Sequence, residues 1–178
     1  MKMKKPIVVL LAALVIMSSA ACSQQQTGSE SRPEDTGNVL IANPWVDCAT
    51  LEDAARLAGF DIAIPGKFDG YPNRVIQAME RSMIQVMYYD GDPDAEDSSR
   101  IMVRKGLGSD DISGDYNEYS KKETVNMHGA DVQLRGDNGL IYSAIWTWDG
   151  YSFAINADKG LSRDTLAAAI EEMVTVVG

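Results

Sequence analysis

Histidine and cysteine are nearly absent: the chain has one histidine, His128, and two cysteines, Cys22 and Cys48. With so few imidazole and thiolate groups, a structural or catalytic zinc centre lacks ligands. A thiol enzyme would need a base near Cys48, and the only histidine lies far away in sequence, so Cys48 beside Ala49 and Leu51 reads as a small buried apolar residue. Basic residues are also scarce, 16 against 26 acidic ones, for a net charge of −10. Nucleic acid, whose phosphates need a basic surface, is excluded as a partner. No hydrophobic run is long. The longest apolar stretch, residues 7–17, falls well short of the ~20 residues that span a bilayer as a helix. No G-x-S-x-G elbow, phosphate-binding loop or argued Ser-His-acid arrangement is present.

The N-terminus does carry a pattern. Lys2, Lys4 and Lys5 precede the apolar stretch, and Ser18, Ser19, Ala20 and Ala21 follow it, the three-part layout of an export signal. Ser19-Ala20-Ala21-Cys22 resembles the lipobox of bacterial lipoproteins, where cleavage before the cysteine is followed by its acylation. That resemblance implies a signal peptide over residues 1–21 and lipid attachment at Cys22, with the bilayer as partner and the domain facing outside the cytoplasm. Each buried CH₂ contributes roughly 0.8 kcal/mol, and one acyl chain binds only marginally, so the several chains of the family give the durable hold. Cleavage removes three lysines and lowers the net charge to about −13, a surface that keeps an exported domain soluble and attracts cations or basic partners. Residues 22–38 are polar and lack an apolar period, which predicts a flexible tether. With Cys22 acylated, no intramolecular disulfide remains, and the fold rests on packing.

Residues 39–178 are enough for one domain with its own core. Thr50 caps a helix over 51–59 in a variant capping box with Asp53, and Gly59 ends it. Residues 60–66 read as a brief extended segment. Between 74 and 156 the pattern turns to period two, with strands expected at 74–80, 83–90, 99–105, 117–127, 130–135, 140–148 and 151–156. Asn138-Gly139 and Asp149-Gly150 are strong hairpin signals. Ser162 caps a last helix whose apolar face is Leu166, Ala169, Ile170, Met173 and Val177. The class expected is α+β: one domain with a mostly antiparallel meander of six to seven strands, packed by a short N-terminal helix and a C-terminal helix.

Asn43-Pro44-Trp45 with the 47–59 helix, the hairpin Ile145-Trp146-Thr147-Trp148-Asp149-Gly150-Tyr151, and Leu161-Ser162 opening the last helix resemble the bacterial family called domain of unknown function 4367. The resemblance covers most of residues 43–178. It implies an α+β domain at the cell envelope, on lipoproteins or beyond a membrane segment. The family has no agreed activity, so no catalytic residue is carried over.

Trp45, Trp146, Trp148 and Tyr151 form the candidate ligand surface. On a strand, Trp146 and Trp148 share a side. Facing the last helix they are core; facing water they make a platform for a peptide, glycan or apolar ligand. Carboxylates alternate in the 90–97 loop as in half of a calcium loop, but Ala95 stands where glycine is needed and Ile101 where the bidentate glutamate belongs, so a solvated hairpin loop is the simpler reading. Met79, Met83 and Met87 recur every four residues, yet the break at Arg81-Ser82 assigns them to different strands as core filling. The expectation is a non-catalytic binding or interaction domain with no cofactor, metal or catalytic residue, and an envelope protein or glycan as ligand. An envelope hydrolase using acidic residues and a weak cation-binding module are the alternatives.

Overall fold

The computed structural model describes residues 43–175; the signal segment, Cys22, the tether and Val177 lie outside the described residues. The chain forms β1 (Val46–Cys48), α1 (Leu51–Ala58), β2 (Asn73–Met79), β3 (Met83–Tyr89), β4 (Arg100–Leu107), β5 (Lys121–Met127), β6 (Ala130–Asp137), β7 (Leu140–Trp148), β8 (Tyr151–Leu161) and α2 (Arg163–Thr175). Among the described residues, no helix is long and apolar enough to cross a membrane.

Local chemistry sets most of these boundaries. Thr50 Oγ1 accepts the Asp53 amide at 3.1 Å and donates to Asp53 Oδ2 at 3.0 Å, the reciprocal cap that the sequence predicts. Gly59, at φ 84°, closes α1 by donating to the Ala55 carbonyl at 2.8 Å. Ser162 Oγ accepts the Thr165 amide at 3.1 Å and starts α2. Asn138 and Asp149 take φ of 51° and 50° ahead of their glycines, as two-residue hairpin turns require, and His128 does the same at 51°. The lone histidine is therefore a turn residue.

The strands make one antiparallel sheet in the order β1-β2-β3-β4-β8-β7-β6-β5. Two corrections to the expected meander follow. There are eight strands among the described residues, because the three-residue β1, too short to show a period, pairs with β2. The run is also broken at its centre: β4 pairs with β8, so two meanders meet there and β5 lies at the far edge. The connection 108–120 must therefore travel from the middle of the sheet to its rim. The strand expected from residue 117 begins only at Lys121, because the Asn117 amide is taken by Asp115 Oδ1 and the Ser120 amide by Asp137 Oδ1. β8 runs on to Leu161, well past Asn156, after a bulge against β7.

One face of the sheet carries the apolar core. Ile84 and Val86, Ile101 and Val103, Ile155, and Val132 alternate inward from successive strands, and Ala54 and Ala58 of α1 with Leu166, Ile170 and Met173 of α2 join the same cluster. At about 25 cal/mol per Å² of apolar area, this burial is the dominant favourable contribution to folding. Met79, Met83, Met87 and Met102 sit on the opposite face, while Met127 and Met173 belong to the core. Met83 and Met87 share β3 rather than lying on separate strands, Met79 pairs with Met83 across the hairpin, and Met87 faces Met102.

Candidate functional site

Beside those methionines, a row of polar side chains crosses the second face of the sheet, and parity aligns it. Gln77, Gln85 and Arg104 are register partners on β2, β3 and β4; Gln77 and Gln85 each stand between inward-facing apolar neighbours, and Arg104 stands between Val103 and Lys105. Asp47 on β1 extends the row. Gln77 Nε2 donates to Asp47 Oδ1 at 2.7 Å, Gln85 Nε2 donates to Gln77 Oε1, and Arg104 Nε donates to Gln85 Oε1 at 2.9 Å. A hydrogen-bonded relay thus crosses four strands and ends on a guanidinium.

That guanidinium pins the 108–120 connection. Arg104 Nη1 donates to the carbonyls of Ile112 at 2.9 Å and Ser113 at 3.2 Å. Asn156 Nδ2 on β8 donates to the same Ser113 carbonyl at 2.7 Å. Further along the sheet, Arg135 Nη2 on β6 meets Asp111 Oδ2 at 2.8 Å, while Asp111 Oδ1 accepts both the amide and the hydroxyl of Ser113. The connection is a strap fastened over the polar face by three side chains from three strands. Gly114 belongs to this fit: its φ is 66°, and an added Cβ would lie 3.0 Å from Arg104 Nη1.

Beside the strap lies a cavity of about 330 Å³. Arg100, Met102 and Arg104 of β4 form one wall, and Asn156, Ala157 and Asp158 of β8 lie next to them. Asp115, Asn117 and Tyr119 of the strap cover it, and Tyr142 of β7 closes the end. The Tyr119 and Tyr142 rings stack at 5.7 Å with 17° between their planes. Tyr142 reaches the cavity from the β7–β8 bulge, where Gly160 keeps the space beside its ring free. Tyr119 donates its hydroxyl proton to Asp115 Oδ2 at 2.9 Å; burial, then the hydrogen bond to Asp115, push its phenol above the usual range.

The electrostatics are unusual for so acidic a chain. Arg104 is half-buried, and its guanidinium meets neutral oxygens and the Trp45 ring, 5.4 Å from the centroid, with no carboxylate within 4 Å among the described residues. Burial, and then repulsion from Arg100, hold it below its ordinary value. Ser143 Oγ and Asn156 Oδ1, on residues paired in register below the strap, are both buried without a hydrogen-bond partner.

Of the four aromatic residues singled out in the sequence, Trp146, Trp148 and Tyr151 gather on the core face, Trp148 pairing in register with Tyr151, and Trp45 stands apart from them. Trp146 is 2% exposed and stacks on Phe153 at 5.2 Å, so it is core and not part of a ligand surface. Trp148 packs against the same core and Gly129. Tyr151 lies 4.1 Å from Lys105 Nζ, in a cage with Phe60 and Phe153 where the ammonium donates to the Asp61 carbonyl at 2.8 Å. Burial pushes that lysine below its usual range. Only Trp45 lies at the polar face. Cys48 is half-buried rather than buried, and its thiol is pushed up by burial and then by Asp53. In the 90–97 loop, Asp90 accepts the Ser99 amide and pairs with Lys159 at 2.6 Å, and Asp92 accepts the Asp94 amide. Among the described residues, no three His, Cys, Asp or Glu side chains cluster to hold a metal.

Arg104, Asn156, Tyr119 and Tyr142 escape the sequence reading. Two signals for the site are present: a single amide inside an otherwise apolar strand, Gln85, and a Gly-, Asp- and Ser-rich connection too long for a hairpin loop of about 2–5 residues. Compared with known proteins, the chain matches no family model, no curated protein and no solved structure.

Proposed function

We propose that this protein is a non-catalytic binding module, exported and held at a bacterial membrane by lipid on Cys22, and that it takes its ligand in the cavity beneath the 108–120 strap. The observation that carries the reading is that cavity: concave, walled by a stacked tyrosine pair and two arginines, and set on a rigid eight-stranded sheet. A preformed pocket on a scaffold of this kind suits recognition.

The envelope assignment rests on the signal pattern, the lipobox and the resemblance of residues 43–178 to an envelope family. Replacing Cys22 by serine is expected to move the chain from the membrane to the soluble fraction. The site is tested by placing a photo-cross-linking amino acid at Asn117, on the cavity rim, or at Asp164 on α2, in the anchored protein. Adducts at position 117 and not at 164 support the reading. Equal capture at both positions, or none at 117, overturns it.

A further inference from the structure

The cavity holds four charged groups, Arg100, Arg104, Asp115 and Asp158, and none of them forms an ion pair with another or with any described residue. Elsewhere among the described residues the basic side chains mostly pair with carboxylates, as in Arg135–Asp111 and Lys159–Asp90, so the two unpaired guanidinium groups here stand out. Here each charge is engaged by neutral partners or by none. Arg104 donates to amide oxygens. Asp115 accepts from Asn117 and Tyr119. Asp158 accepts the Arg100 backbone amide at 2.9 Å while the Arg100 guanidinium reaches only the Met87 sulfur, at 4.0 Å. Two charges of each sign therefore line the cavity with no oppositely charged partner among the described residues.

Resting on the binding-module reading, we propose that the ligand is a small zwitterion, a free amino acid or a short peptide with both ends unblocked. A simple anion would face Asp115 and Asp158, and a simple cation would face two guanidinium groups. Only a ligand with an ammonium and a carboxylate satisfies both sets. The guanidinium fork suits a carboxylate in particular. Arg100 and Arg104 stand four residues apart on one strand, about 13 Å at the rise of a β-strand. The tyrosine pair supplies an aromatic wall for a side chain. The volume, about 330 Å³, lies at the small end of ligand pockets, about 300–1,000 Å³, and fits a molecule of this size.

The test is isothermal titration of the full-length protein, with Trp45 emission as a second readout, using tyrosine, leucine, alanyl-tyrosine and glycylglycine. Each is compared with its N-acetylated and C-amidated form, and acetate, phosphate, choline and glucose serve as singly charged or neutral probes. The expected result is that free zwitterions bind and that blocking either end weakens binding about tenfold or more, as loss of a charge-assisted hydrogen bond implies. Arg100→Gln and Asp158→Asn each reproduce that loss with an unchanged melting temperature, since the amide oxygen that replaces the Asp158 carboxylate still accepts the Arg100 backbone amide. Equal affinity for free and blocked forms, or binding of acetate, phosphate, choline or glucose alone, overturns the zwitterion and leaves the cavity as a binding site. Silence from every probe also overturns it. The binding module itself falls only if the cross-linker at Asn117 fails as well.

Discussion

Replacing Arg104 by methionine keeps the aliphatic stem and removes the guanidinium that fastens the strap. Three hydrogen bonds disappear, to Gln85 Oε1 and to the Ile112 and Ser113 carbonyls. At about 1 kcal/mol each the loss is about 3 kcal/mol, reduced to about 2 because Asn156 still serves the Ser113 carbonyl. If the strap opens locally, about 2 kcal/mol corresponds to about thirtyfold faster amide exchange in residues 108–120. The melting temperature is expected to fall by about 5–10 °C, the scale for a domain of this size. Hydrogen exchange followed at the amides of Ser113, Asp115 and Asn117, each bonded within the strap, reads the effect directly. Exchange there within about threefold of the parent protein would refute the anchoring argument.

Gly114→Ala is expected to cost about 1–2 kcal/mol, since alanine is strained at φ 66° and its Cβ would crowd Arg104; chemical denaturation reads the loss. Trp146→Ala should cost about 3–5 kcal/mol as a core truncation, while Trp45→Phe changes stability little and removes most iodide-quenchable emission. Acid should destabilise the fold. Hydrogen bonds from Lys159 and Ser99 hold Asp90 below the ordinary carboxylate range, and those from Ser113 and Arg135 hold Asp111 there against burial, so their stabilisation is complete above that range and is lost as the pH falls through their lowered values. Melting curves down the acid range check this, and Asp111→Asn should flatten the fall.

How much of this is legible in the residues follows from the range of each interaction. The caps at Thr50 and Ser162 and the turns at Asn138 and Asp149 are set by side chains within three residues, and all four stand where the pattern predicts. The last helix also presents Leu166, Ala169, Ile170 and Met173 to the core as its spacing predicts. Strand order is different. Nothing local distinguishes β4 beside β5 from β4 beside β8, because both pairings bury the same alternate residues. Without that pairing, the strap reads partly as strand and the cavity has no roof. Trp146 and Trp148 stand out as large rings at even spacing, but on this strand the even side is the helix-covered side. Arg104 and Asn156 meet only through the Ser113 carbonyl, a contact that needs both the register and the crossing of the strap.

The most direct measurement is native mass spectrometry of the full-length protein extracted from its own membrane, beside Asn117→Trp, which obstructs the cavity mouth. A bound small molecule on the parent protein that is missing from the folded variant is the expected result. A parent protein with no added mass, or the same added mass on both, would contradict a ligand site beneath the strap.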